Sequence, residues 1–298
     1  MLNELRSIVA FGGGTGLGRL LSALAPVGDR LTGVVATTDD GGSTGRLRSA
    51  TGCIAWGDLR HCFNQICTEP TLGRLLFEYR FVDSGELTGH NLGNLMLLAL
   101  DQLTARPLDA VRLVRDFLEV EPRLLPMSEE PAALEAEGPT GERATGETTV
   151  AEADWLPARL WLEPEVPATP EVIEAVSGAD LILMGPGSFV TSVLPALLLP
   201  PIRQAVRRCG CPRVLIANVA PEPGPVGRLT LCEQLGWMEG ILGGRLVDAV
   251  LWPTSRPLRE RPPLPVHIVD VADSPRHHHR ARLAAALAAM LPNLCRRD

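Results

Sequence analysis

Two adjacent acids, Asp39 and Asp40, stand at the head of a loop reading Gly41-Gly42-Ser43-Thr44-Gly45-Arg46-Leu47-Arg48. Paired carboxylates make good oxygen ligands for Mg²⁺ and equally good partners for ribose hydroxyls. The glycines around Ser43 and Thr44 can turn successive backbone N–H groups into an anion nest. Arg46 and Arg48 can fork onto phosphate oxygens. The plainer reading is a solvated acidic turn.

Four more places carry chemistry. Phe11-Gly12-Gly13-Gly14-Thr15-Gly16-Leu17-Gly18-Arg19 is a glycine turn at the head of a helical pattern. With Gly13, Gly14, Thr15 and Gly16 at the turn, backbone can approach a phosphate while the next helix points free N–H groups at it. In Gly57-Asp58-Leu59-Arg60-His61-Cys62, Asp58 stands where an acid caps a helix, and it can also join Asp39 or Asp40 around one metal. In Gly89-His90-Asn91-Leu92-Gly93-Asn94, Asn91 and Asn94 are three apart and share a helix face. Their amides suit ligand hydroxyls, phosphates or a base edge, although Asn91 alone is also a good helix cap. Finally, Gly185-Pro186-Gly187-Ser188 repeats the strand–glycine–helix junction in the other half of the chain. Gly187 and Ser188 offer N–H and hydroxyl groups to a phosphate or ribose, and Asn218 ends the next strand nearby.

Composition removes several chemistries. All 28 basic residues are Arg. Without Lys the chain carries neither a Walker A lysine nor a Schiff base. The glycine turn misses the GxGxxG spacing, so a nicotinamide dinucleotide is the weakest reading. No Ser-His-Asp order with a GxSxG elbow is found. The seven Cys follow no zinc or CxxC spacing and read as free thiols. His277-His278-His279 has Arg neighbours and no acidic partners. His61 and His90 are general-base candidates by position only. The net charge of −7 argues against nucleic acid as a partner. No apolar stretch reaches the length of a membrane span and the start does not read as a signal peptide, so a cytoplasmic protein is expected.

The elements that must position these residues alternate. Apolar runs at 7–11, 31–37, 123–127, 180–184, 214–219, 249–252 and 266–269 read as strands. Helical patterns occupy 17–24, 58–66, 71–78, 91–104, 108–118, 170–176, 229–242 and 280–291, while 41–52 reads as a glycine-rich loop. The expected fold is α/β: a Rossmann-like, doubly wound, mainly parallel sheet with helices on both faces. It is expected as one domain over 1–298, with a small β-hairpin insertion at about 121–165. A homodimer is expected on general grounds.

The ordered motifs GGGTGLGRLL, TTDDGGSTGRLR, GDLRHC, GHNLGNL, LLPMSE and ADLILMGPGSFVTS resemble the bacterial gluconeogenesis factor family, related to 2-phospho-L-lactate transferase. The likeness runs from Ile8 to Leu198 and fades beyond Ala220. It implies a Rossmann-like fold and binding of UDP-sugars. It also implies a role in cell shape and in growth on gluconeogenic carbon sources, through an unknown protein partner. From the transferases it implies a Mg²⁺ site at Asp39, Asp40 and Asp58. The intervening GGSTGRLR departs from the transferase pattern, which tells against the deazaflavin reaction. The leading reading is a regulatory protein that binds a nucleotide or UDP-sugar. The alternative is a Mg²⁺-dependent transferase using a nucleoside diphosphate-linked donor.

Overall fold

The computed structural model describes residues 2–294. Its centre is a seven-stranded sheet in which every pairing is parallel. The strands are β1 (Ile8–Gly12), β2 (Leu31–Val35), β3 (Arg123–Pro126), β7 (Leu181–Met184), β8 (Arg213–Ile216), β9 (Ala249–Pro253) and β10 (Val266–Val269). Their order is β10-β9-β8-β7-β1-β2-β3, so strand order reverses at the β1/β7 boundary. β1 (Ile-Val-Ala-Phe-Gly), β7 (Leu-Ile-Leu-Met) and β9 (Ala-Val-Leu-Trp-Pro) are buried along their whole length. Such unbroken apolar runs are what a parallel strand covered on both faces requires. Phe11, paired with Val34 on one side and Met184 on the other, marks the middle of this core.

Helices flank the sheet. On the β1–β3 half lie α1 (Gly14–Ala23), α2 (Gly42–Thr51), α3 (Gly57–Ile66), α4 (Leu72–Glu78), α5 (Leu92–Leu103) and α6 (Pro107–Phe117). Close approach of α1 to α3 depends on Gly18: a Cβ there would lie 2.7 Å from the Gln65 Cβ and 3.0 Å from the Cys62 Cα. After β7 come α9 (Leu194–Leu198), entered through a wide turn at 189–193, and α10 (Pro200–Arg208). α11 (Leu231–Leu242) opens on a capping box between Thr230 and Glu233, and α12 (Arg280–Leu294) packs on α1.

Two expectations change. The segment 41–52 is not a loop: Gly42–Thr51 is helical, and ends on Gly52 at φ 72°. Leu47 is buried there, and the Arg48 guanidinium donates to the carbonyls of Thr38, Asp39 and Ala132 at 3.0, 3.0 and 2.7 Å. These tertiary contacts outweigh the low helix propensity of glycine and serine. The insertion begins after β3, which pairs with β2, and it has three strands. β4 (Ala133–Glu137) pairs antiparallel with β5 (Arg143–Thr145) and β6 (Arg159–Glu163), with α7 (Glu147–Glu152) between them. A short ribbon, β11 (Ala272–Ser274) with β12 (His277–His278), precedes α12. α8 (Pro170–Ser177) leads back into β7. Cys53, Cys62, Cys67, Cys209, Cys211 and Cys232 are free thiols; Cys295 lies outside the described residues. No single helix among the described residues is long and apolar enough to cross a membrane.

Candidate functional site

The two glycine junctions, far apart in sequence, meet at the strand reversal. A Cβ on Gly16 would collide with the Pro186 carbonyl oxygen and lie 2.8 Å from the Gly187 Cα, so α1 begins directly against the turn after β7. Gly187 stands at φ 146°, a backbone conformation that side chains disfavour. In an open α/β sheet this reversal, at the carboxyl ends of the strands, is where ligands lie. A cavity of about 300 Å³ opens there, with Thr15, Gly16, Arg19, Gly187, Ser188, Asn218 and Glu222 in its wall.

Asn218 fixes that wall. Its Oδ1 accepts from the Gly187 N–H at 3.0 Å, and its Nδ2 donates to the Gly187 carbonyl at 2.8 Å and to Glu222 Oε1 at 2.9 Å. The Glu222 carboxylate lies across the start of the helix after β7, accepting from the Phe189 N–H at 3.1 and 2.9 Å and from the Ser188 hydroxyl. Burial raises its carboxyl despite these donors. Thus a side chain of the protein itself holds an anion at that helix start. On the opposite wall His278 is buried, its Nε2–H donating to the Ala217 carbonyl at 3.0 Å. Burial lowers its pKa to about 4, so the ring is neutral near pH 7. Arg19 donates to the His278 carbonyl at 3.1 and 2.7 Å and pairs with Asp273 at 2.9 Å. The histidine run is therefore a structural wall of the cavity.

Behind the first glycine turn three carboxylates converge. Asp58 lies against Gly13 and Gly14: a Cβ on either glycine would run into its oxygens. Despite its place in the first turn of α3 it makes no capping bond, and its Oδ2 is buried without a hydrogen-bond partner. Burial, then the charge of Asp39, raises Asp58 to about 7. Glu147, at the start of α7 in the insertion, accepts from the Thr38 hydroxyl at 3.3 Å. Burial, then Asp58 and Asp39, raises it to about 9. Asp39 Oδ1 accepts from the Gly41 N–H at 2.9 Å. Asp40 turns away from this group: its Oδ1 accepts from the Thr148 N–H at 2.9 Å and the Thr148 hydroxyl at 2.7 Å, tying the acidic turn to α7. Among the described residues no three acidic, histidine or cysteine side chains stand in an arrangement that could hold a metal ion as they are placed. The buried, unpartnered Asp58 Oδ2 and the mutual repulsion with Asp39 and Glu147 nevertheless make this the place where a cation would relieve charge.

Beside it runs a buried polar chain. Ser43 Oγ lies 3.0 Å from His90 Nδ1 and accepts from Asn94 Nδ2 at 3.3 Å. Asn94 Oδ1 accepts from Arg60 Nε at 2.9 Å, and Arg60 Nη2 donates to His61 Nε2 at 2.7 Å. Burial and the guanidiniums of Arg60 and Arg80 lower His61 to about 4. Burial, then Arg46, also lowers His90. Asn91 caps α5, its side chain accepting from the Gly93 N–H at 2.9 Å. Thr44 is buried beside Gly57. Arg46, exposed, donates to the Thr88 carbonyl at 3.0 Å.

The structure therefore gathers Thr15, Gly16, Gly187 and Ser188 on one crevice, with Gly13 and Gly14 buried against Asp58. Asp39 and Asp58 lie behind it, and Ser43 is held to Asn94 one layer away. Glu147 and Glu222 were not foreseen from sequence. Each stands in a Gly- or Pro-rich stretch with no local pattern, and only the tertiary fold brings it to the glycines.

The family model for 2-phospho-L-lactate transferase CofD matches residues 8–264. A Vibrio cholerae protein carrying the gluconeogenesis-factor name is 48% identical over 294 residues, covering 98% of this chain and 99% of that one. The gluconeogenesis factor of Bacillus subtilis is 36% identical over 251 residues, covering 84% and 79%. A crystal structure of a UPF0052-family protein from Bacillus halodurans superposes with a TM-score of 0.87 at 29% identity, covering 95% of this chain and 98% of that one. The similarity thus reaches well past residue 220, where the motifs had faded.

Proposed function

This chain belongs to the 2-phospho-L-lactate transferase CofD family, and we propose that within it the chain is a regulatory protein that binds a nucleotide sugar of the UDP type. The observation that carries this is the abutment of two glycine junctions at the strand reversal, Gly16 against Pro186 and Gly187. A diphosphate needs N–H groups converging from more than one backbone segment, and both helix starts point at this crevice. The ligand's hydroxyls find Thr15, Ser188 and Asn218 in the same wall. The histidines nearest the glycines are engaged: His278 with a carbonyl, His61 with Arg60 and His90 with Ser43. Such an inventory favours binding over turnover. The relatives' gluconeogenesis-factor name supports growth on gluconeogenic carbon as the setting. We propose in addition that it controls cell shape through a partner protein inside the cytoplasm. Calorimetric titration with UDP-N-acetylglucosamine tests the reading. Saturable binding that Ser188→Ala weakens supports it, and no heat with any UDP-sugar sinks it.

One observation favours a second reading, a Mg²⁺-dependent transferase that uses a nucleoside diphosphate-linked donor. Asp58, with Asp39 and Glu147 beside it, is where a cation would relieve charge, on the strength of the unpartnered Asp58 Oδ2 and the raised carboxyls of Asp58 and Glu147. The three would have to close in to hold it. Bound there, Mg²⁺ would neutralise charge on a leaving diphosphate. The protein's own part is to orient that diphosphate on the Gly13–Gly16 and Gly187–Ser188 backbone. Steady release of nucleotide from a donor and acceptor, lost in Asp58→Asn, would decide for the transferase.

A further inference from the structure

A second cavity, of about 380 Å³, lies between the loop after β9 and the start of α11, and shares Pro221 with the glycine crevice. Arg228, Arg256 and Arg259 belong to its wall, and among the described residues no carboxylate does. Trp252, near the end of β9 and 3% exposed, donates its indole N–H to the Arg256 carbonyl at 2.9 Å. The Arg256 guanidinium folds back over the same ring, 4.2 Å from its centre, and donates to the Asn218 carbonyl at 3.3 Å. Ser255 Oγ ties this loop down by donating to the Val219 carbonyl at 2.8 Å. On the other side Gly227 packs on the Glu222 backbone, where a Cβ would collide with the Glu222 carbonyl oxygen, so the turn carrying Arg228 is seated as well.

The charges gathered here are unmatched. Elsewhere Arg213 pairs with Asp248 at 2.8 Å, Arg106 with Glu171 at 2.8 Å and Arg282 with Asp270 at 2.7 Å. Among the described residues the Arg228 and Arg259 side chains make no ion pair or hydrogen bond. Burial lowers the Arg256 guanidinium, and the charge of Glu222 offsets this only in part, since that carboxylate is turned to Phe189 and Asn218. Two acids border the cavity along the chain. Glu233 is taken up by the capping box of α11, and Glu260 is exposed beside Arg259. The start of α11 is thus already satisfied, and the attraction for an anion comes from the arginines.

We propose that this cavity is a second anion site, separate from the glycine crevice, which takes a phosphorylated small molecule of sugar-phosphate size. Guanidinium forks match phosphate oxygens in pairs. Like charges on one concavity repel until an anion joins them. The volume lies in the range of small-ligand sites, and Leu229, Pro257 and Leu258 line it with apolar surface for the body of such a molecule. A nucleic acid is a poor occupant, because the site is a hollow and not a stripe, on a chain of net charge −7. The site stands whether or not the glycine crevice binds a nucleotide sugar.

The test is calorimetric titration of the full-length protein with glucose 6-phosphate, and with glucose as the uncharged control. Saturable binding of the phosphate ester, and none of glucose, is expected. Arg228→Gln with Arg259→Gln, at two exposed and unpartnered side chains, should weaken it at least tenfold and keep the wild-type circular dichroism and melt. Should that pair fail to fold, Arg256→Gln should show the same loss. Arg143→Gln with Arg208→Gln, which removes equal charge from distant surfaces, should bind as the wild type does, and so should Ser188→Ala in the glycine crevice. No heat with glucose 6-phosphate at millimolar concentration overturns the proposal. So does an equal loss in the two charge-removed pairs, or a loss confined to Ser188→Ala. UDP-N-acetylglucosamine titrated into the same proteins reports on the functional reading by itself. An affinity unchanged in the Arg228 and Arg259 pair shows that the sites are two, and a matching loss there makes them one and sinks the second site.

Discussion

Glu222 sets both of its carboxylate oxygens on one backbone N–H, that of Phe189, at 3.1 and 2.9 Å. That N–H opens the helix after β7, where a phosphate on the second glycine junction would also dock. The carboxylate and an anionic ligand therefore compete for the same donors, with Ser188 and Asn218 on the contested side. A charge-assisted hydrogen bond contributes about 1.5–3 kcal/mol, so removing the charge should matter. Glu222→Gln is expected to tighten UDP binding about tenfold, which corresponds to roughly 1.4 kcal/mol, as read by calorimetry at pH 7.5. Because burial raises Glu222, wild-type affinity should also improve as pH falls and the carboxyl takes up its proton, whereas the Gln variant should lack that part of the dependence. Weaker binding by the variant would instead make Glu222 a direct ligand contact.

Glycine substitutions separate close approach from mere flexibility. Gly18→Ala pushes a methyl into the Gln65 and Cys62 contacts of α3. It should destabilise by about 1–3 kcal/mol, the usual result of overpacking. At Gly236, inside α11, a methyl group would meet nothing within 4 Å. Gly236→Ala should stabilise by about 0.5–1 kcal/mol through helix propensity. Urea midpoints with unchanged slopes measure both, and equal effects of one sign would refute the distinction.

Arg48 should prove a structural residue. Its guanidinium spans three carbonyls, Thr38, Asp39 and Ala132, and so joins the acidic turn to the insertion. Arg48→Met strands those acceptors and should cost about 2–4 kcal/mol. Arg48→Lys should recover only part of this, because a single ammonium cannot span the same fork. The check is chemical denaturation of both variants. A neutral Arg48→Met would show that the turn does not need the link.

What the sequence disclosed was local. A strand ending in glycines and running into a helix is a pattern of a dozen residues, so both junctions, around Gly13 and Gly187, were legible, as was the order of the central strands in the chain. The apolar runs of β1, β7 and β9 needed no partner to be recognised. Residues 41–52 misled because glycine and serine suggest a loop, while Leu47 and Arg48 gain from tertiary contacts that local propensity does not contain. Asp40 was grouped with Asp39 by adjacency, yet successive side chains in an extended turn point apart, and Asp40 went to Thr148. Glu147 and Glu222 lay beyond reach for the same reason. Their neighbours in space, Asp58 and Phe189, are 89 and 33 residues away along the chain.

The acidic group makes a pH-dependent prediction. Asp58 is raised to about 7, first by burial and then by Asp39, while an unfolded aspartate titrates near 3.8. A carboxyl raised on folding binds its proton more tightly in the native state. It therefore contributes stability that is fully present below about pH 4 and is lost as pH rises through about 7. Glu147, raised to about 9, extends the same trend to higher pH. Asp58→Asn keeps the size and removes the charge. It should leave the melting temperature nearly unchanged below about pH 4 and raise it by several degrees at pH 8.5, on the order of 1–3 kcal/mol. Millimolar Mg²⁺ at pH 8.5 should bring the wild type toward the variant and leave the variant itself unmoved, since the cation relieves a charge that the amide lacks. Parallel melting curves of the two proteins across pH would mean that Asp58 stays ionised in the fold. A Mg²⁺ shift equal in both would remove Asp58 from the cation's ligands.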